Sequence, residues 1–308
     1  VNIHGAGGTS ASQETTEDFR KIADTANFIV VHPQGLSGGI SGTGWNVLGT
    51  VASWDTDKAF IIDLLERMVS KYSIDRSRIY ITGYSEGGFM SYDFSCFVTG
   101  RFAAMASVCG SLVSAHYSAC TGTSHNSALP VMEIHGTADP LIGYAGGGIT
   151  GCTNVDTMIN YWVRYNHCNS TPTTTIKLPD TSDSATVDMS TVMHYVYTGG
   201  TNGATVELYK VLGGGHTVPA ETPASTTNPP NEDFTASKEA WRFFRKYSLN
   251  SLGVPIVTGT IGKIGTVLES VETEQPRLRR QMQRIVSFFA LFGFILSGIC
   301  FLLYGLLR

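Results

Sequence analysis

The chain has 308 residues, a formal net charge of −4 and 42% hydrophobic residues, enough for one large α/β domain with something left over. No basic block occurs in the first 250 residues, so nucleic acid binding has no electrostatic support. The six cysteines lack the paired C-x-x-C spacing of a zinc site, and neither a metal nor another cofactor is expected.

Val1-Asn2-Ile3-His4 reads as the end of a strand already under way. An N-terminally truncated chain is therefore expected, its targeting signal lost with the missing residues. "NFIVVHP" has the β-branched content of a second strand, and "PQGLSGGISGTGWN" reads as a surface loop. "KAFIIDLLERMVSKY" places Phe60, Ile61, Leu64, Leu65, Met68 and Val69 on one helical face. "RIYIT" suits a short buried strand, and after it Phe89, Met90, Phe94, Phe97 and Val98 recur at helical spacing. "PVMEIHG" reads as a strand, "NVDTMINYWVRYN" as a helix, "VELYKVL" as a strand and "ASKEAWRFFRKY" as a closing helix. The Ser/Thr/Asp-rich stretch from Asn169 to Ser190 is expected to be a surface excursion, with a lid as the alternative. Strands alternating with helices imply a mostly parallel sheet covered on both faces.

Between the "RIYIT" strand and its helix stands Gly83-Tyr84-Ser85-Glu86-Gly87, a G-x-S-x-G pattern. With 34 glycines in the chain the pattern is cheap, and about 0.3 chance matches are expected. A second match, Gly35-Leu36-Ser37-Gly38-Gly39, has no helical periodicity after it. A strand–turn–helix setting is what presents a serine oxygen above a sheet, so Ser85 is the candidate nucleophile and Ser37 the decoy. Gly83 and Gly87 flank the turn, where side chains would collide with neighbouring backbone. A serine needs a base, an orienting acid and an oxyanion hole. His216 in "LGGGHTVPA" follows a strand on what reads as a flexible loop, and Asp139 in "VMEIHGTADPLIGY" lies just past another. Solvated loop histidine and turn former are their bland alternatives. The order Ser85, Asp139, His216 is the one α/β-hydrolases use. Backbone N–H groups of the His4-Gly5-Ala6-Gly7-Gly8 loop, at Ala6, and of Glu86 are the oxyanion candidates. Asp57 fits an N-terminal cap or dipole partner better than a catalytic acid. Trp45, Tyr144 and Trp162 are candidates to line a substrate site, although such residues are more often core. One or two disulfides in an exported protein, or reduced buried thiols, both fit Cys96, Cys109, Cys120, Cys152 and Cys168.

Together "VNIHGAGGTS", "HPQG", "GWN", "TDKAFIIDLLERMVSKYSIDRSRIYITGYSEGGFMSY", "EIHGTADPLIGY" and "LGGGHTVPA" resemble the polyhydroxybutyrate depolymerase and feruloyl esterase branch of α/β-hydrolases over residues 1–250. The resemblance implies a secreted or periplasmic serine esterase acting on a polyester or on acyl esters linked to polysaccharide. Ser85 would be the nucleophile, Asp139 the orienting acid and His216 the base. It also implies a Cys96–Cys120 bridge. The Cys168 position is often paired near "YTGGTNG", where this chain has no cysteine, so Cys168 is expected to bridge to Cys152. Glu86 departs from the usual Asn, Gln or Met, and its carboxylate could raise the pKa of His216 or repel acidic substrates. The alternative from another class is a catalytically silent hydrolase fold serving as a membrane-tethered binding module.

Residues 251–284 read as a polar, charged linker, followed by the uncharged 285–307 "IVSFFALFGFILSGICFLLYGLL". At about 1.5 Å per residue this run is long enough to cross a bilayer as a transmembrane helix. The tail resembles the segment of a P-type cation ATPase where the actuator domain leads into the next span. No D-K-T-G phosphorylation motif accompanies it, so ion transport is unsupported. Arg277, Arg279, Arg280 and Arg284 precede the span, which by the positive-inside rule puts the esterase in the cytoplasm, against the exported character of residues 1–250. A fused or mis-assembled reading frame is expected in preference to a genuine membrane anchor.

Overall fold

The computed structural model describes residues 1–39, 42–49, 54–122, 127–148, 151–178, 190–221 and 231–258. The chain divides into a unit Val1–Thr258 and a second, Gly259–Arg308. The expected linker and membrane span, 251–284 beyond Thr258 and 285–307, lie outside the described residues. Among the described residues no helix is long and apolar enough to cross a membrane.

In chain order the elements are β1 (Asn2–Ile3), α1 (Ser10–Thr16), α2 (Arg20–Ala26), β2 (Leu36–Gly39), β3 (Gly42–Gly44) and α3 (Asp55–Lys71). Next come β4 (Tyr80–Gly83), α4 (Glu86–Phe97), β5 (Ala104–Val108), α5 (Ser114–Gly122), β6 (Val131–Gly136) and α6 (Val155–Tyr165). The unit closes with β7 (Thr174–Lys177), β8 (Thr191–Tyr197), a 3-10 turn at Thr201–Gly203, β9 (Val206–Leu212), α7 (Ala236–Phe244), β10 (Tyr247–Leu249) and β11 (Pro255–Val257).

The main sheet has the order β1-β4-β5-β6-β9-β8-β7. Pairings from β1 through β9 are parallel, and β9–β8 and β8–β7 are antiparallel. Because side chains alternate along a strand, the sheet feeds two cores. Met105, Val131, Val206 and Leu208 pack with Ile61, Phe89, Met90, Val155 and Trp162 of α3, α4 and α6. Ala104, Ala106, Ile134, Tyr209 and Val211 pack with Phe19 and with Ala236, Ala240 and Phe243 of α7. α4 runs between sheet and outer layer with Glu86 through Cys96 all buried. This is the expected mostly parallel sheet with helices on both faces.

Several elements differ from the sequence reading. "NFIVVHP" forms no strand; it meets β1 through the Asn2 N–H to Val31 carbonyl bond. "PQGLSGGISGTGWN" contains the antiparallel pair β2–β3, because glycines permit its bulged register. Phe60 is exposed; the buried line of α3 is Asp57, Ile61 and Leu65 at i, i+4, i+8. The excursion from Asn169 carries β7 at the sheet edge.

Candidate active site

Each candidate side chain sits just beyond the C-terminal end of a parallel strand: Ser85 after β4, Asp139 after β6, His216 after β9. The structure brings them together. Ser85 Oγ lies 2.9 Å from His216 Nε2, and His216 Nδ1 lies 2.7 Å from Asp139 Oδ2.

Ser85 has φ 56° and ψ −119°, a left-handed backbone that costs a non-glycine residue about 1–3 kcal/mol. Its neighbours fix that conformation. The Ser85 N–H donates to the Val108 carbonyl at 2.8 Å, and the Gly87 N–H to the Tyr84 carbonyl at 2.9 Å. A Cβ on Gly87 would lie 2.0 Å from the Ile3 carbonyl oxygen, and one on Gly83 2.5 Å from Gly87 backbone. Only glycine lets β1, β4 and α4 approach this closely.

Asp139 divides its two oxygens. Oδ1 accepts the Leu141 and Ile142 N–H groups, both at 2.8 Å, forming the turn, while Oδ2 takes the imidazole. Burial works against ionisation, yet the hydrogen bond and charge of His216, the charge of His135 and the Ile142 N–H hold the carboxyl below its ordinary value.

The His216 loop is buried and pinned, in contrast to the flexible loop expected. The Ala138 N–H donates to the Gly214 carbonyl at 2.9 Å, and the Gly213 N–H to Thr137 Oγ1 at 2.9 Å, joining it to the Asp139 loop. Tyr84 packs its ring against the imidazole, tilted by 40° with centroids 5.0 Å apart, and donates its hydroxyl to the His216 carbonyl at 2.8 Å. The Cys109 thiol, behind the pair, donates to the Thr217 carbonyl at 3.4 Å, and burial pushes it well above its ordinary range. Sequence reasoning missed Tyr84 and Cys109; for Tyr84 the signal was its place inside the G-x-S-x-G pattern.

The loop carrying Ala6 abuts the serine, since a Cβ on Gly5 would stand 3.0 Å from Ser85 Cβ. Among the described residues no acceptor takes the backbone N–H of Ala6 or of Glu86. His4 anchors the loop, its Nδ1 bonding the Gly5 carbonyl at 2.8 Å and its Nε2 accepting the Gly35 N–H at 3.0 Å. Trp45 is buried, its indole N–H on the His4 carbonyl at 2.9 Å. The Glu86 carboxylate bonds the Trp45 N–H at 3.0 Å and borders Gly44. None of its hydrogen bonds reaches His216, the group it was expected to perturb. Burial raises its pKa to about 7, with Asp57 adding to the effect. Asp57 lies in the first turn of α3 and accepts both the backbone and side-chain N–H of Asn46.

Tyr144 is buried, its hydroxyl on Asp156 at 2.5 Å and its ring under Lys210 Nζ at 4.4 Å. Trp162 is core. A cavity of about 430 Å³ lined by Phe28, Ile29, Leu65, Met68 and Trp241 touches none of the three candidate side chains.

Cys96 and Cys120 are joined, tying α4 to α5. Cys152 and Cys168 are free thiols, against the expected bridge. Cys152 precedes α6 and Cys168 follows it; the helix between them is about 16 Å long, well beyond disulfide reach. Cys168 instead packs against Gly200 and the Ala204 carbonyl, in the loop where relatives were expected to carry its partner.

Residues 52–160 match the family described as Phospholipase/Carboxylesterase. Poly(3-hydroxyalkanoate) depolymerase C of Paucimonas lemoignei is 26% identical over 247 residues, 72% of this chain and 55% of that protein. Feruloyl esterase C of Emericella nidulans is 30% identical over 182 residues, 57% of this chain and 57% of that protein. The chain thus spans little more than half the length of these relatives. An acetyl xylan esterase from Aspergillus awamori superposes with a TM-score of 0.52 at 16% identity, over 79% of this chain and 86% of that one, a likeness of fold. The chain resembles the depolymerase and feruloyl esterase branch on an α/β-hydrolase fold.

Proposed function

For an esterase-type α/β-hydrolase built this way, we propose a serine carboxylic-ester hydrolase working through an acyl-enzyme on Ser85. The observation that carries it is the unbroken relay from Ser85 Oγ to His216 Nε2 at 2.9 Å and from His216 Nδ1 to Asp139 Oδ2 at 2.7 Å. Ser85 Oγ attacks the ester carbonyl carbon as His216 Nε2 takes its proton, and Asp139 stabilises the imidazolium that forms. The N–H groups of Ala6 and Glu86 face the developing oxyanion. Collapse expels the alcohol with the proton from His216; water, deprotonated by the same imidazole, then releases the acid and restores Ser85.

The substrate class is an ester of a polyester or of a polysaccharide-linked acyl group, in keeping with the names of the relatives. The Cys96–Cys120 bridge supports an oxidising compartment, hence export. The catalytic domain is residues 1–250, with the tail a separate segment.

The test is hydrolysis of p-nitrophenyl acetate by the full chain. Ser85→Ala is expected to lose about 10³-fold or more in kcat. Equal background rates for both proteins would overturn the reading and leave a silent binding module. Hydroxybutyrate oligomers and methyl ferulate then divide the two substrate classes.

A further inference from the structure

A second histidine lies behind the acid of the relay, on the sheet face that packs against α4 and α6. His135 is the penultimate residue of β6 and is wholly buried. Its Nδ1 stands 2.9 Å from Glu133 Oε1. Its Nε2 stands 2.8 Å from the Ile142 carbonyl and 3.5 Å from Asp139 Oδ2, the oxygen that also takes His216 Nδ1. Both ring nitrogens therefore point at oxygen acceptors. A neutral imidazole has one nitrogen without a proton, and with Glu133 ionised that lone pair would face an acceptor's lone pair. Two arrangements satisfy the contacts at 2.8 and 2.9 Å: a carboxylic acid on Glu133 donating to a neutral ring, or a Glu133 carboxylate with both ring nitrogens protonated; only the second places a positive group 3.5 Å from Asp139 Oδ2. Glu133 is arranged for that, since its Oε2 accepts the Tyr92 hydroxyl from α4 at 2.9 Å.

Resting on the esterase reading, we propose that Glu133 and His135 form a buried ion pair whose positive end positions the Asp139 carboxylate and offsets its charge at His216. His135 is thus a positioning residue acting through Asp139. Burial would push its imidazole down, but the hydrogen bond and charge of Glu133 and the charge of Asp139 overcome this and hold it above its ordinary value. Burial also raises the Glu133 carboxyl, against the bonds from His135 and Tyr92.

The other polar groups around the pair leave this assignment standing. Ser107 of β5 is the register partner of Glu133, and the Cys109 thiol beyond that strand is pushed up and stays neutral. Tyr144 meets the His135 ring edge-on at 5.8 Å. Lys210, the register partner on β9, turns its ammonium over Tyr144 and to Asp156 of α6 at 3.4 Å.

The consequence is a bias on proton transfer. An Asp139 carboxylate shared between two imidazoles attracts the proton on His216 less strongly than one facing His216 alone. Removing His135 therefore leaves the base protonated to higher pH, and removing Glu133 does the same because His135, without its counter-charge, gives up its proton. The acid limb of the kcat/KM profile is expected to move up by about half a pH unit in Glu133→Gln and in His135→Gln. The double variant is expected to move no further than either single one, because each removes the same dipole. A limb that stays in place while kcat or the melting temperature falls would make the pair merely structural and overturn the proposal.

A measurement on the unaltered protein guards against variants that do not fold. In ¹⁵N-histidine-labelled full chain, both His135 ring nitrogens are expected to carry protons at pH 7. One bare ring nitrogen at that pH would overturn the ion pair. This readout needs no turnover, so it separates failure of the ion pair from failure of the esterase reading.

Discussion

The Tyr84 hydroxyl is the smallest unit on which the relay depends. It sits one residue before Ser85, the proposed nucleophile, yet it bonds the carbonyl of His216, 132 residues further along. Nucleophile turn and histidine loop are thereby fixed by one side chain. Losing such a bond costs about 0.5–1.5 kcal/mol and frees a loop carbonyl. Tyr84→Phe keeps the ring that packs against His216 and removes only the hydroxyl. A drop of about 3- to 10-fold in kcat with KM little changed is expected. Wild-type kcat would mean that the ring and the Gly213 and Gly214 bonds hold the loop unaided. Asp139 carries a larger share: Asp139→Asn keeps the turn through the Leu141 and Ile142 N–H groups while presenting the wrong partner to Nδ1. A fall of about 10³–10⁴-fold in kcat at neutral pH is expected, measured on the same p-nitrophenyl ester.

Among the elements, α4 joins chemistry at one end to covalent anchoring at the other. Ser85 caps its start and Cys96, near its end, is bridged to Cys120 of α5, about 16 Å away along the helix axis. The bridge closes a loop with a sequence separation of 24, which by chain entropy contributes about 3 kcal/mol. Reduction is expected to lower the thermal midpoint by several degrees, while kcat at 25 °C changes less than about twofold because the relay sits at the far end. Calorimetry and ester assays with and without dithiothreitol read both quantities; equal loss of each would tie the bridge to the site. Legibility in the sequence also differs by element. α3, α6 and α7 were readable because each is amphipathic over several turns. β5 was not: "AMASV" has a single β-branched residue, Val108, at its end, and it is buried on both faces because its small side chains let α4 and α7 close in. "NFIVVHP" misled in the opposite sense, having strand composition without a ladder partner beyond Val31. The three relay residues were legible because each follows a strand. His135 was not, since in "EIHGTAD" it reads as a strand residue and its partners come from the loop and from α4.

At the scale of the whole molecule, buried carboxyls set how stability responds to pH. Burial raises Glu86 to about 7 and Asp93 to about 6, the latter against the hydrogen bond from His116. A carboxyl raised in the fold binds its proton more tightly there than in the unfolded chain. Its contribution is fully present below the unfolded value and is lost as pH rises through the folded one. Glu17, raised by burial to about 8, works in the same direction. Glu207 behaves differently: despite burial, His194, Arg242 and Lys246 hold it at about 2, so its contribution persists above the ordinary carboxylate range and is lost only in strong acid. With Glu17, Glu86 and Asp93 all raised by burial, the fold is expected to lose stability as pH rises between pH 4.5 and 7.5. Glu86 alone accounts for about 2–3 kcal/mol of that loss. Glu86→Gln keeps an oxygen for the Trp45 N–H and removes the titration, so its thermal midpoint is expected to fall less steeply with pH than that of the wild type. Calorimetric scans at half-unit steps check the slope; a midpoint that climbs with pH would reverse the assignment. The proposed relay demands a deprotonated base while the carboxyls favour protons, so the pH of greatest activity is expected to lie above the pH of greatest stability.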